Sequence, residues 1–133
     1  MPLLPDPPPA LPAAPRAFYD ELRALLIELA PADLDHANVE VDFGDAGVAV
    51  TLPHARQPDW TLAAQVSLRA AVVFAGPDSA HFDDRDPAWT SAAVACIAEV
   101  LRGEREVAVA HRDRAFWRVP RTETVRITFG ARR

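Results

Sequence analysis

A period of two in the apolar positions dominates the middle of this chain. Val39, Val41 and Phe43 alternate with Glu40 and Asp42, and Val48, Val50 and Leu52 alternate with Ala49 and Thr51. Each run has the spacing of a half-buried strand. Gly44-Asp45-Ala46-Gly47 between them is turn chemistry, so the two runs form a hairpin whose first strand is acidic on its wet side. From Trp60 to Phe74 every even position is apolar. One straight strand of that length would span about 50 Å, too far for so small a domain. The run therefore reads as two strands, roughly 60–67 and 70–75, turning near Leu68-Arg69. Frequent alanine makes a helix over 61–71 the competing reading, and the period of two decides for strand.

Two segments carry the helical period instead. Phe18, Leu22, Leu25 and Leu29 fall at steps of four, three and four and form one apolar stripe. Pro15 suits the first turn of that helix and Pro31 closes it. Farther on, Trp89, Ala92, Ala93, Cys96, Ile97, Val100 and Leu101 form a wide apolar face, with Asp86 and Pro87 as cap and first position and Gly103 as the stop. After it, Val107 and Val109, then 116–119, then 124–129 read as three short strands, with a turn near Arg112-Asp113-Arg114.

The predicted order is α-β-β-β-β-α-β-β-β. Strands joined by short turns imply an α+β fold with a mostly antiparallel sheet and both helices packed on one face. Residues 1–15 hold seven of the thirteen prolines, a composition that excludes a helix or a central strand. They read as a Pro-rich disordered tail or an arm laid over a surface, and residues 16–133 as a single α+β domain.

Composition narrows the function classes. At 133 residues, half of them apolar, the chain can bury its own core without disulfide or metal. Its single cysteine, Cys96, lies in an apolar helical pattern and reads as core. The net charge of −5 is uneven: residues 1–60 sum to −7, residues 61–110 to −3 and residues 111–133 to +5. Overall acidity disfavours nucleic acid as the main partner. All fourteen basic residues are arginine, a bias common in GC-rich bacterial genomes, and without lysine there is no Schiff-base nucleophile. The N-terminus lacks a basic start, and no apolar run is long enough to span a membrane, so the expected location is cytoplasmic.

The densest chemistry is the string His81, Asp83, Asp84, Asp86 between the central strands and the second helix. Histidine with carboxylates can hold a divalent ion or move protons. Phe82 among them is expected to point into the core, so that its polar neighbours face outward. A second candidate surface is Arg112 to Arg121, which interleaves four arginines with Phe116 and Trp117, the residue types of interface hot spots. His36, His54 and His111 are scattered and read as solvated or structurally satisfied. Five glycines and no G-x-S-x-G turn leave neither a phosphate loop nor a serine nucleophile.

Ala80-His81-Phe82-Asp83, Ile97 to Gly103 and Phe116 to Arg118 together resemble small bacterial α+β proteins of the contact-toxin immunity type. The resemblance implies an acidic, enzymatically inert cytosolic protein that blocks a toxin by binding it. The expectation is thus a protein-binding module acting through His81, Asp83, Asp84, Arg114, Trp117 and Arg118, with no catalytic residue, cofactor or metal. Ala70 to Ala75, apolar on both faces, leaves room for a homodimer. The alternative is a small ligand-binding or metal-dependent enzyme domain using His81 and Asp83.

Overall fold

The computed structural model describes residues 3–112 and 120–131, with 108–112 and 120–125 described by backbone alone. Helix α1 spans Ala13–Leu29, and a short 3-10 turn, His36–Asn38, leads into the strands β1 (Glu40–Phe43), β2 (Val48–Pro53), β3 (Thr61–Val66), β4 (Ala70–Ala75) and β5 (Asp78–Asp83). Helix α2 (Trp89–Leu101) follows, then β6 (Val107–Arg112) and β7 (Pro120–Val125). The first five strands form one sheet in the order β1-β2-β3-β4-β5, and β6 and β7 pair with each other as a two-stranded ribbon. Every pairing is antiparallel, and the fold is α+β.

The period of two explains the sheet. Paired residues in an antiparallel ladder share a face, so one face carries Val41, Phe43, Val48, Val50, Leu52, Leu62, Ala64, Val66, Ala71, Val73, Ala75, Ala80 and Phe82. The members of that row on β2, β3 and β4 are buried, and the remainder pack against them half-buried. The split between 60–67 and 70–75 is as the alternation requires, with Ser67 N–H donating to Ala70 C=O at 2.8 Å across Leu68-Arg69.

Both helices cover this face. The α1 stripe buries Phe18, Tyr19, Leu22, Leu25, Leu26 and Leu29, each large side chain contributing roughly 1.5–3 kcal/mol by leaving water. Tyr19 meets Phe43 edge-on, ring centroids 5.1 Å apart. Helix α2 lies against α1, β4 and β5 and ends where Gly103 was expected to stop it. Gly103 adopts φ 70, its N–H bonds Val100 C=O at 3.1 Å and the Glu104 N–H bonds Glu99 C=O at 2.9 Å. This pair is a Schellman closure.

Four expectations shift. The stretch before α2, read as a loop, contains β5, so five strands precede α2, and two follow it among the described residues. Aspartate is uncommon in strands, but an edge strand tolerates charge on its wet face. Gly76, at φ 59 ahead of Pro77, supplies the tight two-residue turn from β4. Helix α2 starts at Trp89, and Asp86 caps the preceding turn, its Oδ1 accepting the Ala88 N–H at 2.9 Å. Helix α1 begins two residues before Pro15. Of the C-terminal strands, 116–119 lies outside the described residues, β7 sits at 120–125, and 126–131 runs as a strap.

Residues 3–12 run as an arm with contacts to α1. Leu4 and Leu11 are buried in the core. The Tyr19 hydroxyl donates to Pro5 C=O at 2.6 Å, and Arg16 and Arg23 reach Pro8 C=O and the Asp6 carboxylate. Prolines lack N–H donors, so the arm is held through its carbonyls and leucines. Burial pushes the Tyr19 phenol up to about 12, keeping it a donor across the working pH range. Tyr19→Phe should remove one hydrogen bond worth about 1 kcal/mol, lower the melting temperature by a few degrees and speed proteolysis within residues 3–12. Unchanged proteolysis would show that this bond does not secure the arm.

Candidate functional site

The candidate corner is built on β5, the last strand of the sheet. Phe82 pairs with Ala71, and Ala80 with Val73, on the helix-covered face. The period of two then turns Ser79, His81 and Asp83 to the opposite face, where His81 pairs with Val72 and Asp83 with Ala70. The expected inward Phe82 and outward polar neighbours are both present. His81 is exposed, with Ser79 Oγ 3.3 Å from its Nε2.

Past the strand the chain turns sharply. Asp84 N–H donates to Arg69 C=O at 2.9 Å, and Asp86 N–H to Asp83 C=O at 3.1 Å. Arg85 folds back on Asp83: its Nε lies 3.0 Å from Oδ1, its Nη2 lies 2.7 Å from Oδ2, and its backbone N–H also donates to Oδ1 at 3.0 Å. The Arg85 side-chain hydrogen bonds, followed by its backbone N–H, hold Asp83 down to about 2. Asp84 is exposed beside this pair. Arg85 was not singled out in the sequence, although an arginine two residues after an aspartate at a turn is the signal that could have found it.

The chemistry open to this corner is presentation of charge. Hollows of about 130, 230 and 350 Å3 open elsewhere on the described surface, and none of the three is lined by His81, Asp83 or Asp84. Among the described residues, no group of three or more His, Cys, Asp or Glu stands close enough to hold a metal ion. No helix among them is long and apolar enough to cross a membrane. Arg114, Trp117 and Arg118, the other half of the expected surface, lie outside the described residues, so their distance from the corner is not part of the geometry.

The other singled-out side chains have structural positions. His54 is buried. Its Nδ1 accepts the Arg56 N–H at 3.0 Å, and its Nε2, the protonated nitrogen of that tautomer, donates to Thr128 C=O at 2.9 Å. Its ring meets the Phe129 ring at a tilt, centroids 4.7 Å apart, and the Trp60 ring lies 5.9 Å from Phe129. His54 thereby ties the C-terminal strap to the end of β2. His36 is exposed, and the side chain of His111 lies outside the description. Cys96 is buried, its thiol pKa raised by that burial, and Arg105 Nη1 points at its Sγ from 2.8 Å.

Comparison with protein-family models, with curated proteins and with solved structures returns no match. The geometry of the corner therefore carries the functional argument.

The Asp83–Arg85 clasp gives a signed pH prediction. A depressed carboxylate pKa stabilises the fold above its ordinary value, and that contribution is lost as pH falls toward 2. In Arg85→Ala, which keeps the backbone N–H donor, the Asp83 midpoint should rise from the wild-type value toward, but not fully to, the ordinary carboxylate value of about 3.9, followed by carboxyl-carbon NMR. A midpoint still near 2 would mean that Arg85 is not what holds it down.

Proposed function

We propose that this chain is a non-enzymatic protein-binding module of the immunity or inhibitor kind, working in a bacterial cytoplasm, which meets a basic protein surface with the acidic corner at the end of β5. The observation that carries the reading is the inward Phe82, which leaves His81 and Asp83 on the outer face of an edge strand, with Asp84 exposed in the turn that follows. The corner is also preorganised. Asp84 is exposed, yet its backbone is fixed to Arg69 across the ladder, so binding orders little that is not already ordered. Arg114, Trp117 and Arg118 belong to the same proposal on residue type alone, as arginine and tryptophan dominate interface hot spots. The competing enzyme reading asks Asp83 to bind a metal or move a proton. Both its carboxylate oxygens are already engaged by Arg85, which supports binding over catalysis.

The test uses wild type and Asp84→Arg as baits in quantitative affinity capture from the native host, with melting temperatures measured in parallel. The expected result is a basic protein partner held by wild type and depleted at least about tenfold on the variant, a charge reversal at an interface costing several kcal/mol, with melting temperatures within a few degrees. Equal recovery on both baits, or no protein partner on wild type, would contradict the proposal.

A further inference from the structure

Among the described residues, the face of the main sheet opposite the helices carries exposed side chains, and its residues are fixed by register. One cross-strand row reads Asp42, Ala49, Gln65, Val72, His81, and the next reads Glu40, Thr51, Ala63, Phe74, Ser79. The acids and the His81–Ser79 end of these rows are exposed, as is Gln65. Ala49, Thr51, Ala63, Val72 and Phe74 between them are half-buried by their neighbours in the sheet. Around the exposed Gln65 of the central strand the face is thus mostly apolar, dipping into a hollow of about 350 Å3 whose lining includes Asp42, Ala49, Gln65, Ala70 and Val72. One lateral edge carries Glu40 and Asp42, and the other carries Ser79 and His81, with Asp83 beyond them neutralised by Arg85.

We infer that this face is the contact surface for a second copy of the chain, related by a twofold axis parallel to β3. Such an axis lays β3 on β3, β2 on β4 and β1 on β5 of the partner, and keeps each row at its own level. In the first row Asp42 then faces the partner's His81, Ala49 faces the partner's Val72, and Gln65 faces Gln65 on the axis. In the second row Glu40 faces the partner's Ser79, Thr51 the partner's Phe74, and Ala63 its own copy. Both acids of these two rows meet a hydrogen-bond donor, the larger apolar side chains Val72 and Phe74 meet smaller residues, and the glutamine amides are self-complementary donors and acceptors, while Asp83, one row beyond, is already clasped by Arg85. An axis perpendicular to the strands would instead set Glu40 and Asp42 of one copy against the same acids of the other, which like-charge repulsion disfavours.

The size fits a weak dimer. Five strands of four to six residues give a face roughly 20 Å by 20 Å, or about 1,000–1,400 Å2 of accessible surface in total once side-chain relief on both copies is counted, near the lower limit of specific interfaces. Two sheets packed about 10 Å apart with nearly aligned strands form an ordinary sandwich. This inference stands apart from the proposed partner at the acidic corner, because it is tested on the purified chain alone.

Sedimentation velocity of the full chain from about 1 to 500 µM should show a reversible monomer–dimer equilibrium with a dissociation constant of about 1–100 µM, as small interfaces give. Val72→Arg should abolish the dimer while its melting temperature at low concentration stays within a few degrees. Asp42→His and His81→Asp should each weaken association several-fold, and the double variant should recover most of the loss. A wild-type chain that remains monomeric at 500 µM would overturn the inference. So would a dimer indifferent to Val72→Arg, or a double variant no better than either single one.

Discussion

The fold depends on one-sided burial of a twisted sheet. Thirteen apolar side chains of the first five strands point to the same face because paired residues share a side, and two helices exclude water from that face. A slip of one residue in any strand would turn its core residues to water, so the register is held by the same burial that stabilises the molecule. Everything presented on the opposite face, from Asp42 to His81, takes its position from that constraint and not from contacts of its own.

The second constraint is closure at the two ends of the chain. The N-terminal arm drives Leu4 and Leu11 into the core beside α1, and the C-terminal strap drives in Ile127 and Phe129. Three contacts grip the strap: Asp33 N–H donates to Phe129 C=O at 2.9 Å, Phe129 N–H donates to Leu101 C=O at 3.3 Å, and the His54 ring packs at a tilt against the Phe129 ring. A buried histidine with both nitrogens satisfied is a structural clasp. Its place is non-local, linking residues 74 apart in sequence.

Much of this was legible in the residues. The hairpin at 39–52, the bend at Leu68-Arg69, the stripe of α1 and the Gly103 stop each follow from local periodicity or from one residue's conformational preference, and all are found where the pattern puts them. Strand β5 was hidden because its outward residues are Ser79, His81 and Asp83, and its inward ones an aspartate at the turn, a small alanine and a single phenylalanine, so the apolar alternation is too short to outvote the aspartates. The arm was half-legible: the prolines exclude a helix, but only tertiary packing brings Leu4 and Leu11 inward. At the corner, the inward Phe82 could be read directly, whereas the clasp of Arg85 on Asp83 needed the turn geometry. The rows of the open face were not legible at all, since they join residues of five strands through register.

The central claim is that the aspartate-rich stretch before α2 is an edge strand anchored by Phe82. Native-state amide hydrogen exchange tests it residue by residue. With Asp84 N–H bonded to Arg69 C=O and the two-residue turn at Gly76-Pro77, the alternation of an antiparallel ladder aims the amides of Ala80 and Phe82 at β4 and those of His81 and Asp83 away from it. Slow exchange at Ala80 and Phe82 with fast exchange at His81 and Asp83 is the expected result. Uniformly fast exchange from Asp78 to Asp84 would contradict it, because a loop and not a strand would then carry the corner.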